Sequence, residues 1–299
     1  MRAIQGWQAA TILNRSPEGR HFGFDYSLNP YRGCFHGCRY CYARESHQYL
    51  NLNLAEDFEQ RLFVKHNLAP RLAHELTRIP LTATIALGTV TDPYQPLEGR
   101  HRLTRQALEL LADSGHRLTI TTKSPLIERD LDVLAPMGQR RQLAVHVSLI
   151  SLDRPLLHRL EPGTAPPRRR LLTVRRLKDA GVPVAVFVAP IIAGFTDQEE
   201  HLDALLKAVR DAGADWVMAA PLRISPALRP YLWEHLAGIN PEAAEILRLV
   251  YGSQQMPGAP YRRLLEHRID RLTTRYGLSR QPTALVPYRR HQQLIFPFP

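Results

Sequence analysis

The sequence predicts an α/β protein: an incomplete barrel of six β/α units, (β/α)6, followed by a helix-rich C-terminal region. Three observations carry that expectation. Apolar, β-branched runs alternate with segments whose apolar residues recur every three or four positions, the pattern of parallel strands joined by crossover helices. Several runs are almost continuously hydrophobic, as in strands covered by helices. The length, 299 residues, accommodates one barrel of about 200–250 residues and a small appendage. A doubly wound open sheet fits the same string of elements and is the alternative.

Taken in order, residues 1–25 read as an irregular extension, 26–225 as the barrel, and 226–299 as helices covering its open side. The first strand, 24–28, is short and runs directly into Asn29-Pro30-Tyr31-Arg32-Gly33. Further strands are expected at 82–87, 117–122, 143–149, 182–189 and 215–218. Between them, helices are expected at 66–77, 103–114, 168–180 and 197–212. Leu171, Leu172, Val174 and Leu177 lie on one side of the third helix, and Gly181 suits its C-terminal cap. Thr196, with Glu199 three residues later, suits an N-cap of the fourth. Beyond Pro221 the pattern is helical but broken by prolines, and the chain ends in the apolar string LIFPFP (294–299).

Lys and Arg number 39 against 28 Asp and Glu, a net charge of +11. At 44% hydrophobic and 22% charged, the composition is that of a globular protein and excludes a disordered or fibrous chain. The most apolar stretch, 180–196, is interrupted by Pro183 and Pro190 and is shorter than the roughly 20 residues that span a bilayer. No apolar signal core stands near residue 1. A cytoplasmic protein without a membrane segment is expected.

All three cysteines, Cys34, Cys38 and Cys41, fall in one short loop, N-P-Y-R-G-C-F-H-G-C-R-Y-C-Y-A-R. Three thiols so close, without an export signal, point to metal ligation rather than a disulfide framework. Three thiolates on a glycine-containing loop hold three corners of a cubane iron–sulfur cluster. Ordinary electron-transfer clusters take four cysteines, so one iron is left open to a small ligand. A zinc site completed by His36 or another histidine is the alternative.

The spacing C-x3-C-x-aromatic-C, with Tyr40 as the aromatic, resembles the signature of the radical S-adenosylmethionine (SAM) superfamily. The longer string NPYRGC-x-HGC-x-YCYAR is similar to the branch related to spore photoproduct lyase. GTVTDPYQPLEGRHRLTRQALELL, ITTKSPLIERDLDVL, LEPGTAPPRRRL and AGVPVAVFVAPIIAGFTD extend the resemblance over about residues 29–222. It implies a partial TIM-like barrel, a [4Fe–4S] cluster on Cys34, Cys38 and Cys41, and SAM chelated at the open iron. One-electron cleavage of SAM would then give a 5′-deoxyadenosyl radical that abstracts a substrate hydrogen, in lyase-like or other chemistry.

Chemistry in a β/α barrel sits at the C-terminal ends of the strands. Those ends carry Thr91 and Asp92, then Lys123, then Ser148. An anion and a hydroxyl at 91–92 suit the SAM ammonium, the place at which the resemblance also puts it. Lys123 and Ser148 are candidates for the SAM carboxylate, as in relatives of spore photoproduct lyase. Glu161 and Arg170 would bind ribose hydroxyls or a carboxylate, or else form a surface charge pattern. Gly194 would admit adenine close to the backbone. One departure stands out. The lyase has a hydrogen-donating cysteine three residues before its strand-two aspartate, and this chain has Thr89. Tyr31, Tyr42 and Tyr94 are alternative hydrogen relays.

Arginine pairs and triplets at 140–141, 168–170, 175–176, 262–263 and 289–290 favour acidic partners. The expected partners are a flavodoxin or ferredoxin reductant and nucleic acid. The leading substrate class is a nucleic-acid base or nucleotide. A peptide or small metabolite is the other enzymatic reading, and a non-catalytic iron–sulfur or zinc-binding protein is the rival outside enzymes.

Overall fold

The computed structural model describes residues 2–16 and 23–287. Its main sheet has seven strands. Six run parallel in chain order: β3 (Tyr26–Leu28), β6 (Thr84–Leu87), β7 (Arg117–Thr122), β8 (Leu143–Ser148), β9 (Val184–Ile191) and β10 (Trp216–Pro221). The seventh, β2 (Leu13–Arg15), adds antiparallel to β3 at one edge. Consecutive strands are always neighbours, so the sheet winds in one direction. A doubly wound sheet reverses its strand order at a switch point, and no reversal occurs here. The product is an open, incomplete β/α barrel.

On the outer face, four helices follow the periodicity, α2 (Leu68–Leu76), α4 (Leu103–Ser114), α7 (Pro167–Asp179) and α8 (Glu199–Asp211), whereas α3 (Pro96–His101), α5 (Leu131–Gln139) and α6 (Arg154–Leu160) lie outside the expected helices. Each buries its apolar stripe on the sheet; Leu202, Leu205, Leu206 and Val209 of α8 are examples. Burying such side chains contributes about 1.5–3 kcal/mol each before chain entropy is subtracted.

Several expectations are corrected. Residues 3–15 are not irregular. β1 (Ala3–Trp7) pairs parallel with β5 (Arg61–Lys65), which also pairs antiparallel with β4 (Tyr31–Arg32), forming a three-stranded second sheet. β1 escapes notice because it is exposed along most of its length and carries no alternating apolar pattern. Thr196 does not cap α8, which begins at Glu199 after Gln198. Its hydroxyl instead accepts from Ile192 N at 2.9 Å inside the preceding turn. α5 was absent from the sequence expectation because Pro136 and Gly138 lie inside it. Gly138 is required there, since a Cβ would stand 2.9 Å from Gly181 O.

Past the sheet lie α9 (Arg229–Ile239), α10 (Pro241–Tyr251) and α11 (Ala259–Tyr276). α10 packs at the strand-end side, where the Ala243 backbone lies against Gly194 after β9. Ser279 then bridges to Trp216 at the start of β10, and Val286 N donates to Arg141 O at 2.9 Å. The chain therefore crosses the opposite end of the barrel. The LIFPFP string lies outside the described residues, as does the arginine pair at 289–290. Among the described residues, no helix is long and apolar enough to cross a membrane.

One half-buried acid ties successive units together. Glu128, in a 3-10 helix after β7, accepts from Arg169 at 2.5 Å, Arg176 at 2.5 Å and Thr173 at 2.7 Å, all on α7. Burial raises its pKa, but those donors outweigh burial and hold it down at about 2, below the ordinary 4.5. A depressed carboxyl adds stability above its unfolded pKa and loses it as pH falls through the folded one. Glu128→Gln is expected to cost about 1–2 kcal/mol at neutral pH, the exposed arginine ends being screened. In urea titrations across pH 5 to 2, the variant should lose stability less steeply than the wild type; parallel acid limbs would contradict this.

Candidate functional site

The cysteine loop follows β4 and is pinned from three sides. Cys34 N donates to Phe58 O at 3.0 Å, Phe35 N to Gln95 Oε1 at 2.9 Å, and Arg39 N to Leu160 O at 2.8 Å. The turn after α6 lies directly on the loop: Gly163 N donates to His36 O at 3.0 Å. A Cβ at Gly163 would sit 2.3 Å from Phe35 O, so only glycine permits that contact.

Cys34 and Cys38 are buried and Cys41 is half-buried. Burial pushes the Cys38 and Cys41 thiols up, and the Lys123 ammonium opposes this without cancelling it. Burial acts the same way on Cys34, but the neighbouring His36 outweighs it and the thiol lies below its ordinary range. His36 itself is held up at about 10 against burial by Asp92 and Cys34. The loop thus places its sulfurs among cations, as ligands that must be thiolates require.

This donor set fits a cubane. Among the described residues, no three His, Cys, Asp or Glu side chains gather as ligands of a single metal ion. A cubane takes one thiolate at each of three separate irons, so its ligands need not converge on one point. His36, the expected fourth ligand of a zinc alternative, turns to Asp92, with Nδ1 3.2 Å from Oδ2.

Thr91 and Asp92 brace the loop. The Thr91 hydroxyl donates to Gly33 O at 2.6 Å and accepts from Gln95 Nε2 at 2.9 Å. Asp92 accepts from Thr122 Oγ1 at 2.7 Å, Tyr94 N at 2.9 Å and Lys123 N at 2.7 Å, besides His36. A carboxylate has about four acceptor positions, and here all are engaged. Burial raises the Asp92 pKa, but His36 and these donors win and hold it at about 2. In this arrangement the Asp92 carboxylate is fully engaged.

Glu161 and Arg170 are not a surface pair. Both are buried, 2.5 Å apart, and the Tyr40 hydroxyl donates to Glu161. Arg170 also donates to Ala165 O at 2.7 Å and Ser148 O at 3.0 Å. The pair therefore anchors the motif aromatic between Cys38 and Cys41 to the end of β8. Burial disfavours the Glu161 carboxylate, yet Arg170 and Lys123 hold its pKa below the ordinary value. The Lys123 ammonium lies 5.8 Å from the Tyr40 ring centroid. Cys38 and Glu161 overcome its burial and raise its pKa, so it stays charged. Ser148 is buried at the end of β8, beside it.

Below this rim lies an interior that periodicity alone did not reveal. Val145 and Val147 of β8 join the helix-covered core, whereas Ala144, Ala185, Trp216, Phe187 and Leu285 form a separate cluster on the opposite face. Strand register aligns Thr121, His146, Ala185 and Trp216 in one row, and Ser148, Phe187 and Met218 in the next. The His146 ring stacks on Phe187 with centroids 4.2 Å apart and meets the edge of Trp216 at 5.9 Å. His146 and Phe187 are half-buried and Met218 is exposed. Burial lowers the His146 pKa, keeping the ring neutral. An apolar histidine in a strand reads as core; only its face reveals it.

Of the tyrosines considered as relays, Tyr31 and Tyr94 are fully buried in the core. Tyr42 is 61% exposed and donates to Thr89 O. Several of the clustered arginines are occupied: Arg169 and Arg176 by Glu128, Arg170 by Glu161, Arg175 by Asp211 O.

The site is thus an open six-strand barrel with a three-thiol loop after its first parallel strand. The family model described as the Radical SAM superfamily matches residues 28–209. An uncharacterized protein of Mycobacterium tuberculosis is 40% identical over 271 residues, 90% of this chain and 79% of that one. One from Acidianus two-tailed virus is 28% identical over 245 residues, 79% of this chain and 76% of its own. Among solved structures, spore photoproduct lyase complexed with dinucleoside spore photoproduct aligns at TM-score 0.69 and 17% identity, covering 91% of this chain and 79% of the lyase. This chain belongs to the radical SAM superfamily, and its cofactors are a [4Fe–4S] cluster and SAM.

Two substitutions test the loop. Cys38→Ala should abolish cubane formation on anaerobic reconstitution, read as iron and sulfide content. Gly163→Ala, which leaves every ligand in place, should lower cluster content while the apo fold survives by circular dichroism. Full cluster content in Gly163→Ala would show that the contact with Phe35 is dispensable.

Proposed function

We propose that this protein cleaves SAM reductively and uses the resulting radical to abstract hydrogen from a nucleic-acid base or nucleotide. The observation that carries the first half is the loop of three thiols in a chain without a fourth, standing at the rim of the barrel beside Lys123 and Ser148. A bound cluster would supply the single electron for reductive cleavage of SAM to methionine and a 5′-deoxyadenosyl radical. The chain's own groups do the rest. Cys34, Cys38 and Cys41 would hold three of its irons. The Lys123 ammonium and the Ser148 hydroxyl would bind the methionine carboxylate through charge-assisted hydrogen bonds. Asp92, through His36, holds the loop in register; the Glu161–Arg170 pair does so through Tyr40.

The substrate reading is supported by the interior rows. They present a stacked His146–Phe187 pair, the Trp216 edge and the Thr121 hydroxyl, with no acidic side chain among them. Such a surface suits an uncharged planar ring; base stacking on aromatics contributes about 1–3 kcal/mol per base. The net charge of +11 suits the phosphates that accompany it. Spore photoproduct lyase, a fold neighbour, is complexed with dinucleoside spore photoproduct in one solved structure. With Thr89 in the place of that lyase's donor cysteine and every thiol committed to the loop, hydrogen return to a substrate radical does not use a thiol of this chain. A flavodoxin or ferredoxin supplies the electron.

The reconstituted, reduced protein is expected to convert SAM to 5′-deoxyadenosine and methionine, measured by liquid chromatography. No product from an intact cluster would overturn the reading. Phe187→Ala should leave cleavage without substrate within about twofold while weakening retention of short oligodeoxynucleotides roughly tenfold. Unchanged retention would remove the interior from substrate binding.

A further inference from the structure

Arg44, three residues beyond the last cysteine, is fully buried beneath the loop. Its guanidinium donates from Nε to Cys38 O at 2.9 Å and from Nη2 to Gly37 O at 2.9 Å. Nη1 donates to Leu54 O at 3.1 Å and Ala55 O at 2.5 Å, and stands 2.7 Å from Glu59 Oε2. The cation lies over the rings of Tyr231 at 4.6 Å and Phe58 at 5.2 Å. Two carbonyls of the cysteine loop and two of the segment at 54–55 thus fold around one planar fork, a geometry that a lysine ammonium cannot reproduce.

The charge around it does not balance locally. Glu59 is also the partner of Arg39, 3.0 Å away through Oε1, and Arg39 donates its remaining contact to Tyr231 at 3.0 Å. Two guanidiniums therefore share one carboxylate. An incompletely paired buried cation is costly, and the Arg44 charge acts on the thiol of Cys41, lowering that thiol's pKa against burial.

We propose that Arg44 is a positioning residue of the cluster: it pre-shapes the loop through the Gly37 and Cys38 carbonyls and holds a positive charge beside the sulfurs. This rests on the cubane reading. The two functions separate by substitution. Arg44→Lys keeps the charge and loses the fork, Arg44→Gln loses both, and Glu59→Gln strips the counter-charge from two arginines. Outer-shell partners typically contribute about 10–100-fold in metal affinity, and net charge near a cluster shifts its potential.

The test is anaerobic reconstitution of the full chain, with iron retention against a chelator and the midpoint potential by redox titration. Arg44→Lys should retain iron about tenfold less well at a potential close to wild type. Arg44→Gln should move the potential to more negative values, and Glu59→Gln to more positive ones. Wild-type iron retention in Arg44→Lys, or shifts of Arg44→Gln and Glu59→Gln in the same direction, would overturn the proposal. If Arg44→Gln does not fold, the sign in Glu59→Gln decides alone. A wild-type chain that binds no cubane would instead sink the reading underneath, before any variant is compared.

Discussion

Three thiolates confined to one eight-residue loop repel one another and lose hydration together, and the surrounding chain is arranged to offset both costs. His36 stands beside Cys34, Lys123 acts on Cys38 and Cys41, and Arg44 lies underneath. Each cation is in turn restrained by an acid: Asp92 for His36, Glu161 near Lys123, Glu59 for Arg44. The acids come from three different segments, so the loop is positioned by the tertiary fold rather than by its own turns. That dependence explains why a short sequence motif needs a whole barrel behind it.

The barrel supplies a second constraint. Its strands end at a common rim, where Lys123 and Ser148 close β7 and β8. Because the sheet is open, its inner face is not filled as in a closed eight-strand barrel. The Phe187 ring, level with Ser148, and the His146 ring one layer below stay partly accessible. At the other end, Leu285 packs against the inner cluster as the C-terminal chain crosses.

Much of this was legible in residue order. The alternation of apolar runs with helical periodicity corresponds to six parallel strands, because the helix-covered face of those strands is uniformly aliphatic, as at Ile85, Leu118, Val145 and Val186. The cysteine spacing was legible because its chemistry is local. What the sequence concealed depends on distant partners. Asp92 reads as an open acceptor until Thr122, Tyr94, Lys123 and His36 are seen to occupy it. Glu161 and Arg170 read as surface charges because nothing nearby in the chain announces that Tyr40 lies between them. Arg44 looks like one more arginine in a basic protein. β1 was missed because it is a solvent-exposed strand whose partner lies over fifty residues away.

The central claim is that three sulfur donors leave one iron of a cubane open to SAM. Electron paramagnetic resonance of the reduced, reconstituted protein, recorded with and without SAM, tests it most directly. A [4Fe–4S]+ signal whose g values shift when SAM is added is the expected result. A spectrum unchanged by saturating SAM, or a chain that binds zinc and forms no cubane, would contradict it.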